Sequence, residues 1–249
     1  MTRAISLASV VLLGLTLTPS AIHAKPQYGY SGNVAPEYWG KLSPQYTKCA
    51  DGAEQAPLNI ISKNTKTNKN SAALKPVYTA TNGDKVVNTG TTIQVNTEGK
   101  LFIGKAEYKL LQYHFHAPSE EAINGVHFAM NVHLVHQNAA GKLAVIGINF
   151  AEGSPNSFIS ALWKVLPRKK GESVTASLPA LSTLLPQNLA YYTYPGSLTT
   201  PPCTEGVQFY ILKQPVTISP SQLAAFKKLY PMNARPVQPL NERVIKSSD

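Results

Sequence analysis

The chain has 249 residues, of which 43% are hydrophobic and 14% are charged, and its formal net charge at pH 7 is +10. This length and apolar content suffice for one buried core, and no low-complexity linker or internal repeat divides the chain. The basic residues are spread singly or in small groups such as Arg168-Lys169-Lys170, without interleaved aromatic side chains, which favours a solvated surface over a nucleic-acid-binding one.

The first 24 residues have the pattern of a secretory signal. Arg3 precedes an uncharged apolar run over residues 4–17, and small residues around Ala21 and Ala24 offer a cleavage site. The run is shorter than the about 20 residues that a membrane helix needs, and no later segment reaches that length. We therefore predict an exported, periplasmic or secreted protein without a membrane span, whose mature domain covers residues 25–249.

Short strands and turn residues alternate between residues 55 and 109, which is typical of a mainly β protein. Strands are predicted over residues 58–61, 77–78, 86–87 and 91–95, and Asn82-Gly83 is predicted to form a turn. The pattern places many short strands before any helical periodicity appears.

Two runs rich in aromatic and β-branched residues, 110–116 and 130–136, predict an antiparallel pair of strands, with the turn-forming Asn124-Gly125 between them. Side chains two apart on a strand share a face, so His114 and His116 project together. His133, on the second strand, can reach the same point. His-x-His alone is weak evidence for a metal site, but a third imidazole leaves a tetrahedral zinc ion one open position, which is the pattern of catalytic zinc.

The two other histidines in this part of the chain are not expected to bind metal. His136 has the opposite parity to His133 and should face away from it, whereas His127 begins its strand region and should be exposed.

The last part of the chain contains a core strand and two helices. Residues 142–150 form a nearly continuous apolar run, which predicts a strand buried on both faces. Helical periodicity over residues 158–166 follows Ser154-Pro155 as cap and first helical position, and a second helix follows Ser219-Pro220 and ends before Pro231. We predict a mainly β (α+β) fold with peripheral short helices.

Three motifs with a distinctive order and spacing are His114-Phe115-His116, His133-Leu134-Val135-His136 and Ser197-Leu198-Thr199-Thr200-Pro201-Pro202. On these motifs the chain resembles the α-class carbonic anhydrases of the exported bacterial type, over residues 28–246. The resemblance implies a single domain with a large, twisted, mostly antiparallel sheet of about ten strands. It also implies zinc-dependent, reversible hydration of carbon dioxide to bicarbonate and a proton, by attack of zinc-bound hydroxide on CO2.

The resemblance assigns roles to individual side chains. The Zn²⁺ ligands would be three histidines, His114, His116 and His133. Thr199 would donate its hydroxyl proton to Glu120, which as a carboxylate can only accept, so that the threonine oxygen orients the hydroxide. The adjacent Glu121 competes for this role, but the motif match favours Glu120.

The pocket and its water network are also assigned by resemblance. The substrate pocket would be lined by Val135, Val145, Leu198, Thr200 and Phe209. Phe209 stands where tryptophan is usual, which changes the volume of the pocket rather than its chemistry. Tyr30 and Gln94 would support the water network, while Thr91 occupies the usual position of a histidine proton shuttle and cannot titrate near neutral pH. We therefore predict no histidine shuttle.

Two polar residues share a face with the ligands and can fix the orientation of the rings. Gln112 can accept a hydrogen bond from His114, and the amide oxygen of Asn131 can accept one from His133. Because the family usually has glutamate at the position of Asn131, we expect the zinc site to lack one neighbouring negative charge.

Cys49 and Cys203 are the only cysteines. An even number in an exported chain favours a disulfide over two free thiols, and the equivalent pair is bridged in the related bacterial enzymes. Such a bridge would anchor the loop over residues 199–202 to the N-terminal region.

Three classes of function remain open: a zinc lyase, a non-catalytic carbonic-anhydrase-like binding module and a basic surface-binding protein. The complete histidine set favours the lyase, with CO2 and bicarbonate as its ligands and no nucleic-acid partner. We expect a monomer or a homodimer.

Overall fold

The computed structural model describes residues 27–249, so the predicted signal over residues 1–24 lies outside the described residues. The strands in chain order are β1 (Asn59–Ile60), β2 (Lys66–Thr67), β3 (Leu74–Val77), β4 (Thr81–Asn88), β5 (Ile93–Asn96), β6 (Lys100–Ile103), β7 (Ala106–His116), β8 (Ala122–Ile123), β9 (Val126–His127), β10 (Met130–Asn138), β11 (Leu143–Glu152), β12 (Ser173–Leu178), β13 (Tyr191–Ser197), β14 (Glu205–Leu212), β15 (Val216–Ile218) and β16 (Lys246–Ser247). The α-helices are α1 (Trp39–Leu42), α2 (Lys48–Asp51), α3 (Ser157–Trp163) and α4 (Pro220–Lys227). Short 3-10 helices lie at Gly32–Val34, Pro36–Tyr38, Pro44–Tyr46, Ser62–Asn64 and Leu181–Leu184.

A large mixed sheet forms the centre of the fold. Over residues 27–249 it contains 13 strands, and its main path runs β12-β4-β5-β7-β10-β11-β14-β13-β16-β2. The short strands β3, β6 and β15 pair beside this path. Most neighbours are antiparallel, whereas β11 is parallel to both β14 and β15, and β16 is parallel to β2. The predicted mainly β fold with a large sheet and peripheral short helices is confirmed.

The strands that carry the three histidines lie side by side at the centre of this sheet. β7 and β10 pair antiparallel, with His114 directly opposite His133. β11 pairs with the other edge of β10 and is almost entirely buried, as predicted for the apolar run. The Asn124-Gly125 turn joins β8 to β9, a small hairpin that pairs with β1 in a separate sheet. Both turn residues have positive φ, which Asn and Gly tolerate.

The two faces of the central strands have different roles. On one face, Tyr113 and Phe115 of β7 and Leu134 of β10 belong to the main apolar core, which Phe158 of α3 and Phe226 of α4 cover. Burying a side chain of this size contributes about 1.5–3 kcal/mol. The opposite face carries the histidines and opens into a cavity. The alternation of side chains along each strand therefore separates the stabilising face from the polar one.

Helices α3 and α4 pack on the core face of the central strands, and one predicted cap is wrong. The side chain of Asn156, rather than Ser154, caps α3 by accepting the N–H of Ile159 at 3.2 Å. Ser219 caps α4 as predicted, in a capping box with Gln222. The α4 helix ends at Lys227, ahead of Pro231.

The predicted turn at Asn82-Gly83 is also wrong, because both residues lie within β4. This strand pairs with β12, where Asp84 lies opposite Ala176, and that partner extends the strand through a turn-like dipeptide.

Cys49 and Cys203 form a disulfide with their Cα atoms 5.0 Å apart, as predicted. Within residues 27–249, no helix is long and apolar enough to cross a membrane.

Candidate metal centre and active site

Three histidines converge on the cavity face of β7 and β10. His114 and His116 share this face because they are two residues apart on β7, and the register of the strands places His133 opposite His114. One ring nitrogen of each residue lies within 4.8 Å of those of the other two. The three histidines predicted to bind metal are thus brought together at one point.

Hydrogen bonds fix which nitrogen of the two β7 histidines faces that point. The Nδ1 atom of His114 lies 2.8 Å from Oε1 of Gln112 and donates to it, as the sequence predicted. The Nδ1 atom of His116 donates to the carbonyl oxygen of Asn233, also at 2.8 Å. The Nε2 atom of His116 is buried and has no hydrogen-bond partner within the described chain. Both rings therefore leave the lone pair of Nε2 available to bind a metal.

The third histidine is held the other way round. Nε2 of His133 lies 3.2 Å from Oε2 of Glu121, which leaves its Nδ1 atom for a metal. Asn131 donates through Nδ2 to the same carboxylate oxygen at 2.8 Å, and its own Oδ1 accepts the N–H of Glu120 at 3.4 Å. Asn131 therefore does not accept from His133 as predicted. The expected loss of a negative charge beside His133 is also wrong, because Glu121 provides one.

The pKa shifts of His114 and His116 suit metal binding, whereas the shift of His133 opposes it in the metal-free protein. Burial lowers the pKa of His114 to about 3, and burial together with the neighbouring histidines lowers the pKa of His116 well below its ordinary value. Burial also opposes the charged form of His133, but Glu121 raises its pKa above the ordinary value. Neutral imidazole is the form that binds metal. Three convergent imidazole nitrogens, one of them buried and unpartnered, fit a zinc ion with one open coordination position.

The Glu120 carboxylate lies behind this centre. Its Oε1 accepts the backbone N–H of Arg235 at 2.8 Å and lies 3.4 Å from Nδ1 of His116. Burial raises the pKa of Glu120 to about 7, although His133, hydrogen bonding from Thr199 and the N–H of Arg235 each lower it. Its Oε2 atom is the oxygen still able to accept the Thr199 hydroxyl. Glu120 and Thr199 thus lie together as predicted, while Glu121 is directed to His133.

A segment near the C-terminus supports the centre, although no local sequence pattern predicts this role. The buried guanidinium of Arg235 donates to Oε1 of Gln55 at 2.9 Å, to the Ala56 carbonyl at 2.8 Å and to the Cys49 carbonyl at 3.0 Å. It also lies 5.7 Å from the ring centroid of Trp39. This anchoring fixes the backbone N–H that holds Glu120. The glutamine, the two carbonyls and the tryptophan that surround this arginine all lie within residues 39–56, far from Arg235 in the sequence, so no motif marks the arrangement.

A cavity of about 560 Å³ opens over the three histidines. The predicted pocket and water-network residues all line it, namely Val135, Val145, Leu198, Thr199, Thr200, Phe209, Tyr30, Gln94 and Thr91. Cross-strand pairing aligns Val135 with Val145 and Val145 with Phe209, which makes one wall apolar. Lys170 also lines the cavity, although the sequence interpretation did not assign it a position.

The other two histidines in this region lie away from the cavity. Nε2 of His136 is 2.7 Å from the hydroxyl of Tyr78 in the opposite core, and His127 is exposed. Both positions agree with the sequence expectation.

Comparison with known proteins agrees with this geometry. A sequence profile described as eukaryotic-type carbonic anhydrase matches residues 34–249. The chain belongs to the α-carbonic anhydrase family.

Individual members of this family match this chain over nearly their whole length. A carbonic anhydrase of Klebsiella pneumoniae is 38% identical, over 96% of this chain and 98% of that protein. One of Neisseria gonorrhoeae is 40% identical, over 96% and 95%. The solved α-carbonic anhydrase of Thermovibrio ammonificans, in complex with the inhibitor sulfanilamide, superposes with a TM-score of 0.84 at 40% identity, over 90% of this chain and 100% of the other. The chain is therefore an enzyme of the carbonic anhydrase type, a family whose general reaction is the hydration of carbon dioxide.

Proposed function

We propose that this carbonic anhydrase is a zinc-dependent enzyme that converts CO2 reversibly to bicarbonate and a proton, with His114, His116 and His133 as the metal ligands. The observation that carries the proposal is the convergence of one ring nitrogen from each histidine within 4.8 Å. When bound, zinc supplies a Lewis acid that lowers the pKa of a water molecule to about 7, the value known for carbonic anhydrases.

Thr199 and Glu120 orient the attacking oxygen in this proposal. An ionised carboxylate only accepts hydrogen bonds, and Glu120 already accepts the N–H of Arg235. The Thr199 hydroxyl must then donate to Glu120, which leaves the threonine oxygen as an acceptor. The attacking hydroxide can approach Thr199 only by donating its own proton to the threonine oxygen, so a lone pair of the hydroxide oxygen points into the cavity. A divalent cation at the three histidines favours the ionised form of Glu120.

The apolar wall accepts the uncharged substrate. CO2 carries no net charge, and Val135, Val145, Leu198 and Phe209 offer it a site with little competing hydrogen bonding. The Thr199 N–H and the Thr200 hydroxyl are available to the more polar bicarbonate. Phe209 packs its ring edge-on against His133, with centroids 5.8 Å apart, so the same side chain shapes the wall and restricts a ligand ring.

The proton must leave by a route that lacks a histidine shuttle. Tyr30, Thr91 and Gln94 line the cavity, and none of them titrates near neutral pH. Small buffers are then the proton acceptors that limit turnover.

We also propose export to the periplasm or the exterior, supported by the signal-like residues 1–24 and by the disulfide, which persists in oxidising compartments. Intact mass of the protein recovered from its native compartment tests this: a chain that starts near Lys25 is expected, and one that retains Met1 contradicts export.

The test of function is CO2 hydration measured by stopped flow before and after zinc is removed with a chelator and restored. His116→Ala should bind zinc weakly and be inactive, whereas the exposed His127→Ala is the matched control and should resemble the parent. A purified parent that binds no zinc and hydrates no CO2 after zinc addition would refute the proposal and leave the non-catalytic binding module as the remaining interpretation.

A further inference from the structure

The carboxylate of Glu121 is fully buried and surrounded by hydrogen-bond donors. Its Oε2 atom lies 3.2 Å from Nε2 of His133 and 2.8 Å from Nδ2 of Asn131, while its Oε1 atom accepts the Tyr194 hydroxyl at 3.2 Å. A buried carboxylate is costly unless its oxygens are paired. Here each oxygen has a donor, so the charge is accommodated without a basic side chain.

The short distance between Asn131 and His133 determines which atoms carry protons. Nδ2 of Asn131 lies 3.0 Å from Nε2 of His133, and both nitrogens surround the same oxygen of Glu121. The reverse amide orientation would place Oδ1 beside that carboxylate oxygen and leave the Glu120 N–H without its acceptor. Asn131 must therefore donate to Glu121, and the proton of His133 must also point to Glu121.

We infer that Glu121 is the positioning residue that holds His133 with Nδ1 directed at the metal, and that Asn131 holds Glu121 in place. This inference rests on the proposed zinc site and assigns the role to Glu121 rather than Asn131. A carboxylate that accepts a hydrogen bond from a metal-binding imidazole fixes the orientation of the ring and makes its other nitrogen a stronger electron-pair donor to the metal.

The same geometry makes positions 121 and 131 interdependent. Asn131→Glu alone would place two carboxylates in contact beside His133, because the present distance between the two side chains is 2.8 Å. In the variant Glu121→Gln alone, the N–H groups of Asn131 and His133 would face a neutral amide instead of a carboxylate. If the amide nitrogen rather than the amide oxygen faced them, neither N–H group would have an acceptor. In the double variant Glu121→Gln/Asn131→Glu, one carboxylate and one amide are again present, with their positions exchanged.

The experiment is a double-mutant cycle on the full chain, with zinc affinity measured by competition against a chelator and the melting temperature of the metal-free protein as a folding measurement. Each single variant should bind zinc about 10–100-fold more weakly than the parent, and the double variant should recover to within a few-fold of it. Glu205→Gln is the matched control, because Glu205 accepts from Gln55 and the Glu54 N–H but contacts no ligand histidine. It should leave zinc affinity unchanged.

The outcomes separate this inference from the proposed function. If the parent binds zinc and Glu121→Gln binds it equally well, or if the two single effects simply add in the double variant, the inference is wrong and the zinc site stands. If the parent itself binds no zinc, the proposed function fails. If a single variant does not fold, folding and zinc binding by the double variant support the inference, and a double variant that also fails to fold overturns it.

Discussion

Removal of the disulfide should cost much stability and little activity. The perturbation is the double variant Cys49→Ala/Cys203→Ala, which opens a covalent loop with a sequence separation of 154 residues. For a loop of this length the chain-entropy model gives a loss of about 5 kcal/mol in the free energy of unfolding, mainly because the unfolded chain gains freedom. With a urea dependence of about 2–3 kcal/mol per M, the unfolding midpoint should fall by about 2 M.

Activity should survive because the loop beside the site has other anchors. The N–H of Cys203 donates to the Thr200 carbonyl at 2.9 Å, and the N–H of Leu198 donates to the Thr204 carbonyl, also at 2.9 Å. Nε2 of Gln55 donates to the Cys203 carbonyl at 3.0 Å. Since these bonds do not need the bridge, kcat/KM for CO2 at 25 °C should stay within a few-fold of the parent.

The assay is urea unfolding of the metal-free parent and variant, followed by the fluorescence of Trp39 and Trp163. Treatment with a reductant should shift the parent towards the variant and leave the variant unchanged, which is the internal control. An unchanged midpoint in the variant would refute the entropic argument. A folded variant with a large loss of kcat/KM would show that the bridge, rather than the backbone hydrogen bonds, holds the loop.

Three further predictions test the site and the core. Thr91→His should raise kcat at low buffer concentration and leave kcat/KM nearly unchanged, because proton delivery to solvent follows CO2 conversion. If kcat of the parent does not depend on buffer concentration, another proton relay must operate, and Lys170 on the cavity lining is the first candidate. Thr199→Ala should lower kcat/KM by about 10²–10³-fold with zinc content unchanged, whereas Thr199→Ser should retain most activity; equal rates for Ala and Ser would contradict the hydroxyl's role. Burial lowers the pKa of His136 to about 4, so this side chain binds more protons in the unfolded chain than in the folded one below about pH 6.5, and its own contribution to stability should fall by about 3 kcal/mol between pH 6.5 and 4. Urea unfolding of metal-free His136→Gln should show a shallower loss over that range, and an unchanged slope would contradict this account.

The sequence alone determined those features that depend on local periodicity. Alternation along a strand placed His114 and His116 on one face and His136 on the other, because the side-chain period of a β-strand is two. The continuous apolar run that forms β11 predicted a central strand, because a strand that is buried on both faces has apolar side chains at nearly every position. Ser219 predicted the start of a helix because its side chain accepts a hydrogen bond from the N–H of Gln222, which lies within the first turn.

Only the tertiary structure decided the features that depend on partners distant in the chain. Asn82-Gly83 has turn chemistry, but pairing with β12 makes it strand. Asn233 and Arg235 reach the metal centre from more than a hundred residues away, through backbone atoms that have no sequence signature. Glu120 and Glu121 are adjacent and chemically alike, yet one accepts from Arg235 and the other from His133. Their roles differ because the fold surrounds each carboxylate with different donors, and hydrogen bonds between distant segments cannot be read from local sequence.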